Sequence, residues 1–120
     1  MVISLFQNRN IRFDIALNTE HELDLVVENE YGLIITDMGR GSQPDAGLQF
    51  IRRINQLGMQ NAPPIAVFAS YVAIGKYGHE AKKLGAIAAL NEFADIISLI
   101  GQIFDMNVNM YNTSGLSDLI

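Results

Sequence analysis

The chain has 120 residues, 49% of them hydrophobic, which is enough for one domain with its own core and too few for two. Its net charge of −5 and its scattered basic residues argue against nucleic acid or an anionic membrane surface as a partner. Because there are no cysteines, disulfides and thiolate metal sites are excluded, and a cytoplasmic location is expected. No transmembrane helix is predicted, since the longest apolar stretch, residues 86–104, is interrupted by Asn91, Glu92 and Asp95.

The first quarter of the chain predicts a strand followed by a helix. Residues 2–6 are too few to show a period and fit either the end of a helix or a short strand. Residues 11–17 alternate apolar and polar side chains, which is typical of a half-buried strand near a sheet edge. Thr19, with Glu22 three residues later, matches a capping box and predicts a helix to about Asn29. Its expected buried residues are Leu23, Val26 and Val27.

Three further strand and helix units follow, and their alternation predicts one parallel sheet with helices on both faces. The strands are expected at 33–35, 65–69 and 86–90, and the helices at 48–57, 71–84 and 93–106. Gly58 and Gly85 stand where glycines end helices. This gives a single α/β domain over residues 1–107 and a C-terminal tail over 108–120.

Asp37 stands directly after the strand at 33–35, at its carboxyl end. Ligands gather at that edge of open α/β sheets because the loops leaving the strands form a crevice there. Aspartate also favours turns through its own side-chain hydrogen bonds. Position alone leaves both interpretations open.

Other familiar sites are absent from the sequence. It contains no Gly-rich phosphate loop, zinc-ligand spacing or nucleophile elbow, so we predict no enzyme, no catalytic residue and no metal site. His79 lies close to Lys82 and Lys83 and is expected to face solvent. Glu20 and Glu22 are explained by helix capping rather than by acid–base chemistry.

Four short segments, taken in order, resemble the receiver domain of two-component response regulators over residues 11–104. They are Asp37-Met38, Ala46-Gly47-Leu48 at the start of a helix, Pro64-Ile65 through Ala69-Ser70, and Lys83-Leu84-Gly85-Ala86. The resemblance implies a flavodoxin-like fold and a place in a phosphorelay. It also implies that Asp37 accepts a phosphoryl group from a histidine kinase and that Ser70 is the switch hydroxyl. For Ser70, the alternative is a strand-end hydroxyl that satisfies a backbone amide.

The chain departs from the family where the chemistry is most demanding. Phosphoryl transfer to a carboxylate needs Mg²⁺ and a nearby cation to stabilise negative charge. The family supplies the metal ligands from an acidic pair after its first strand, which this chain lacks, and the cation from a lysine after its last strand. Glu92 takes the position of that lysine and Ala89 that of an aromatic residue in the last strand. No cofactor is therefore expected, and Mg²⁺ enters only if Asp37 is phosphorylated.

Loss of the first strand leaves a gap between the second and third strands of a receiver sheet, with two unpaired edges. Residues 11–17 could pair directly with 33–35, residues 2–6 could fold back as an antiparallel strand, or a second chain could contribute. The short link at 7–10 permits a hairpin but not a parallel return. We expect a rearranged sheet with some contact between subunits.

The final helix predicts a homodimer because it is apolar over more than one face. Its candidate interface residues are Ile96, Ile97, Leu99, Ile100, Ile103 and Phe104. The alternative is that residues 111–120 fold back and cover this surface within one chain. The expected function is therefore a degenerate receiver-like domain that acts as a protein-interaction and dimerisation module in signal transduction. The alternative is a working phosphoacceptor at Asp37.

Overall fold

The chain opens with two strands and then alternates helices and strands. The computed structural model of the protein describes residues 2–5 and 11–104, and these ranges contain five strands and four helices. The strands are β1 Val2–Leu5, β2 Ile11–Asp14, β3 Leu33–Asp37, β4 Ile65–Phe68 and β5 Ala88–Leu90. The helices are α1 Thr19–Glu28, α2 Ala46–Leu57, α3 Tyr71–Lys83 and α4 Phe93–Ile103. None of these helices has the length and apolar character needed to cross a bilayer. The predicted tail lies outside the described residues.

The strands form one sheet in the order β2-β1-β3-β4-β5. Strands β3, β4 and β5 are parallel, as predicted, whereas β1 is antiparallel to both of its neighbours, so the sheet is rearranged at its amino-terminal end. Val2 lies opposite Asp14 on one side and Ile34 on the other. The gap is thus filled by the second of the three solutions considered above. The short link between β1 and β2 permits only an antiparallel pair. Because β2 runs in the same direction as β3, β1 is also antiparallel to β3.

Helices cover both faces of the sheet, as the alternation of elements predicts. The larger core combines side chains of α1, α2 and α3 with Ile34 of β3. Leu33 and Ile35 point to the opposite face, where they pack against Ile96 and Ile100 of α4 and against Phe104, which follows it. Strand β3 is therefore buried on both sides, which explains its continuous apolar run.

The start of α1 differs from the prediction. Asn18, not Thr19, is the N-cap, and its side-chain oxygen accepts a hydrogen bond from the backbone N–H of His21 at 2.8 Å. Glu22 is fully buried, so its carboxylate faces the interior and does not complete a capping box. Asparagine caps helices as well as threonine does, and a sequence with both side by side does not distinguish them.

Two apolar residues expected in the core are exposed instead. Val27 of α1 is 61% exposed, and Leu57 at the end of α2 is 51% exposed. Strand β5 is only half-buried along its length, because it forms the edge of the sheet. The predicted end of α2 is confirmed. Gly58 follows α2 in the left-handed conformation, with φ 63°, which glycine adopts without strain.

Helix α2 begins in close contact with the backbone that follows β3. The N–H of Gly47 donates to the carbonyl of Met38 at 2.9 Å. A Cβ atom at position 47 would lie 3.0 Å from both the carbonyl oxygen of Asp37 and the Cα of Met38. These are backbone atoms that cannot rotate away, so a glycine is required where α2 meets the end of β3.

We expect Gly47→Ala to lower the free energy of unfolding by about 1–3 kcal/mol, because the added methyl group overpacks against backbone. The matched control is Gly75→Ala in α3, where a Cβ would have no neighbour within 4 Å. That change should raise the free energy of unfolding by about 0.5–1 kcal/mol. Urea denaturation of the three proteins measures both effects. Equal behaviour of the two variants would contradict the close approach at Gly47.

Candidate functional site

A cleft of about 640 Å³ opens at the carboxyl ends of the three parallel strands. The residues that lead out of β3, β4 and β5 line it: Asp37, Ser70 and Asn91. Helix α3 contributes one wall, including Lys76 and Tyr77, and Pro44 of the loop before α2 contributes another. The crevice therefore forms at the edge of the sheet where the strand order leads one to expect it.

Asp37 is the last residue of β3, and its side chain is exposed at this cleft. Its backbone position is fixed, because it lies opposite Phe68 of β4 and the next N–H, of Met38, donates to the carbonyl of Phe68 at 3.0 Å. Within residues 11–104, no side chain forms a hydrogen bond or an ion pair with its carboxylate. Asp37 is therefore a rigidly held, accessible anion.

Ser70 lies across the cleft from β3 and begins α3. Its hydroxyl oxygen accepts a hydrogen bond from the backbone N–H of Ala73 at 3.1 Å, so Ser70 is the N-cap of this helix. That geometry matches the alternative considered for Ser70, a strand-end hydroxyl that satisfies a backbone amide. Swinging the hydroxyl toward Asp37 would leave this amide without its cap, at a typical cost of about 1 kcal/mol.

The residue that leaves β5 toward the cleft is Asn91, not Glu92. Glu92 is exposed at the N-cap position of α4, makes no capping hydrogen bond and does not line the cleft. The structure thus places Asn91, and not the residue at the family's lysine position, in the lining of the cleft. The cation of the cleft comes instead from α3, as Lys76, whose Nζ lies 5.3 Å from the centre of the Tyr77 ring. The sequence pattern does not predict Lys76 as a residue of the cleft, because its position there depends on how α3 packs against the sheet.

Behind Asp37 lies a buried ionic cluster that the sequence did not predict. Glu22 of α1 has no solvent exposure, and its Oε2 accepts hydrogen bonds from Arg40 Nη2 at 2.5 Å and from Thr36 Oγ1 at 3.3 Å. Its Oε1 has no hydrogen-bond partner among the described residues. Burial raises the pKa of Glu22, and the charge of Arg40 acts in the opposite direction. The sequence contains one indication that Glu22 is buried: it lies on the same face of α1 as Leu23 and Val26.

Through this pair, α1 holds one wall of the cleft. The N–H of Arg40 donates to the carbonyl of Gln43, and the N–H of Gln43 donates back to the carbonyl of Arg40, both at 2.9 Å. This closed turn joins Gly39 to Pro44, which both line the cleft. Because the Arg40 side chain reaches Glu22, the turn is anchored to the helix layer as well as to the end of β3.

The cleft does not fit Mg²⁺ as receiver chemistry would require. Hard divalent cations prefer several carboxylate and carbonyl oxygens. In residues 11–104 no three acidic or histidine side chains come close enough together to hold a metal ion. Asp37 is the one carboxylate that lines the cleft, and Lys76 lines it too. The residues present are therefore a poor donor set for a divalent cation, and we derive no chemistry through one.

Most of the predicted interface of the final helix lies in the protein's own core. Four of its apolar residues are at most 8% exposed: Ile96, Ile97, Ile100 and Phe104. Phe104 packs so close to Gly32 that a Cβ there would lie 2.5 Å from its ring. Ile103, at 36% exposure, and the half-buried Leu99 remain for contact with another molecule. The homodimer stays a prediction with a smaller apolar surface than the sequence suggests.

Replacing the buried carboxylate by an amide should change how stability depends on pH. Because the folded-state pKa of Glu22 is raised, the folded protein holds this proton more tightly than the unfolded chain, and wild type loses stability as pH rises from the unfolded pKa through the folded one. The free energy of unfolding of Glu22→Gln minus that of wild type should therefore increase over this window, by at most about 1.4 kcal/mol per pH unit, and then level off.

Urea denaturation across a pH series measures this difference, and Glu28→Gln, which removes an exposed carboxylate of the same helix, is the matched control. A difference that moves in favour of wild type as pH rises would show that the Arg40 ion pair outweighs the cost of burial.

Comparison with protein-family models, with curated proteins and with solved structures gives no match to this chain.

Proposed function

We propose that this protein is a degenerate receiver-like domain that works as a protein-interaction module in signal transduction and does not accept a phosphoryl group by the usual route. One observation carries the proposal. Strand β1 occupies the place beside β3 where a receiver has its first strand, but it runs in the opposite direction. Its carboxyl end therefore lies at the amino end of β3, at the opposite edge from Asp37.

This reversal removes the source of the metal ligands. In a receiver the acidic pair follows the first strand and so reaches the phosphorylation site from the neighbouring position in the sheet. Here the carboxyl end of β1 points to the other edge of the sheet, and the buried Glu22 is already bound to Arg40 and Thr36. Phosphoryl transfer without a metal ion loses its main source of charge stabilisation.

The strand order supports a flavodoxin-like fold. The order β2-β1-β3-β4-β5 is the order 2-1-3-4-5 of that fold, and α1 to α3 and α4 lie on opposite faces. In this interpretation the fold is flavodoxin-like except for the direction of one central strand.

A role in binding proteins is supported by apolar side chains at the mouth of the cleft. Tyr71 and Val72, at the start of α3, are 81% and 79% exposed. Both are held in place because Ser70 caps the helix directly before them. Exposed neighbouring apolar side chains at the rim of a cleft are typical of a surface that contacts another protein.

The test is incubation with a small-molecule phosphodonor such as acetyl phosphate, with Mg²⁺, followed by intact mass measurement. We expect no phosphorylated species, because Asp37 lacks partners that would stabilise the transferred group. A conventional receiver domain in the same mixture shows that the donor is active. Stoichiometric phosphorylation that disappears in Asp37→Asn would overturn the proposal in favour of a working phosphoacceptor, with Lys76 as its cation.

The homodimer is a separate part of the proposal, and its support is the apolar side chain left exposed on α4. We expect the full chain to sediment as a dimer, and we expect Ile103→Ser to weaken the dimer by about 1 kcal/mol for each copy, since about a third of this side chain remains to be buried. Leu17→Ser, a change at an 82% exposed side chain, is the control. Sedimentation velocity over a concentration series distinguishes the two. A monomer at every concentration would contradict the dimer.

A further inference from the structure

The outer surface of the helix layer carries an acidic stripe. Glu20, Asp24 and Glu28 are spaced by four residues on α1, and all three are exposed. Residues at this spacing lie on one side of a helix, so their carboxylates form a row about 12 Å long. Nothing in the proposed receiver-like cleft uses this row, which lies on a different part of the molecule.

Beside the row, α1 and α2 form a groove of about 360 Å³. Its apolar lining includes Val27 of α1 and Leu57 of α2, which are 61% and 51% exposed, together with the buried Leu23. These two exposed residues are the ones that the helical pattern assigns to the core. Their periodicity is that of buried residues, but no described element covers them, so the groove is an apolar surface without a partner in this chain's described part.

The net charge around the groove is negative. Arg53 of α2 is the single cation among the residues that line it, and its guanidinium is already paired with Glu20. Asp24 and Glu28 have no ion-pair partner within residues 11–104, although the charge of Asp24 also acts on Arg53. The groove therefore combines an apolar floor with a rim of net negative charge.

We propose that the groove between α1 and α2 binds a basic amphipathic segment of a partner protein, with an apolar side chain between Val27 and Leu57 and lysine or arginine side chains against Asp24 and Glu28. Charge complementarity selects this occupant. An amphipathic helix fits because its side chains repeat every three to four residues, the spacing of the acidic row itself. This proposal rests on the proposed function to the extent that both require a protein partner, but it uses none of the residues of the cleft.

The experiment measures the affinity of the full chain for a fluorescent helical peptide that carries leucine on one face and lysine on the flanks. A peptide with the same leucines and glutamate in place of lysine is the probe control. We expect the basic peptide to bind and the acidic one not to bind. We expect Val27→Ser and Asp24→Lys each to weaken binding about tenfold, and binding of the basic peptide to weaken as salt concentration rises.

Each variant has a matched control outside the groove: Ile15→Ser, at a 47% exposed aliphatic side chain, and Asp95→Lys, at an exposed carboxylate on α4. Circular dichroism checks that all four proteins fold. Failure of the basic peptide to bind would overturn the proposal, and so would an equal loss of affinity in the control variants and the groove variants. If Val27→Ser abolishes self-association of the protein, the occupant of the groove is a second copy of this chain and the proposal is also overturned. The phosphodonor test is independent of all these outcomes, so the failure of either proposal is recognised separately.

Discussion

Every strand inside a sheet has to hydrogen-bond along both of its edges, and β3, which carries Asp37, meets this requirement with neighbours of opposite direction. Parallel β4 lies on one side and antiparallel β1 on the other. Because the parallel neighbour brings its carboxyl end to Asp37 and the antiparallel one brings its amino end, the cleft is built from one half of the sheet only. The chemistry available at Asp37 follows from this choice of strand direction.

The buried Glu22 supports one wall of the cleft, and its burial carries a cost in free energy. A carboxylate without solvent contact is unfavourable unless it is fully paired. Among the described residues, Oε1 of Glu22 has no hydrogen-bond partner, while its Oε2 binds Arg40 and Thr36. The same interaction anchors the turn at residues 40–43, which forms part of the wall of the cleft. A well-packed apolar residue at this position would satisfy the core equally well but would leave the turn attached at one end only. The ion pair is therefore better explained by the placement of the loop than by stability.

The sequence predicts the elements well and the side-chain environments less well. Runs such as 33–35 and 65–69 have one interpretation, because a short apolar segment between turn residues fits a buried strand. The direction of β1 was open, since four residues fit several pairings and only the shortness of the link restricts them. Val27 was wrongly placed in the core, because periodicity identifies a helix face without showing whether another element covers it. Among the residues that line the cleft, Asp37 was singled out by its position at a strand end and Ser70 by the resemblance to receiver domains, whereas Lys76 lines the cleft through the packing of α3.

Helix α2 connects the cleft with the groove. Its first turn contacts the backbone of β3 at Gly47, and its last turns carry Arg53 and Leu57 at the groove, about 15 Å further along the helix. Between these ends Phe50, Ile51 and Ile54 are buried, and Arg52 pairs with Glu80 of α3 at 2.7 Å. These contacts hold α2 along its length between the two sites. A ligand in the groove would therefore have to displace α2 against the close contact at Gly47 before the residues that follow β3 could change position.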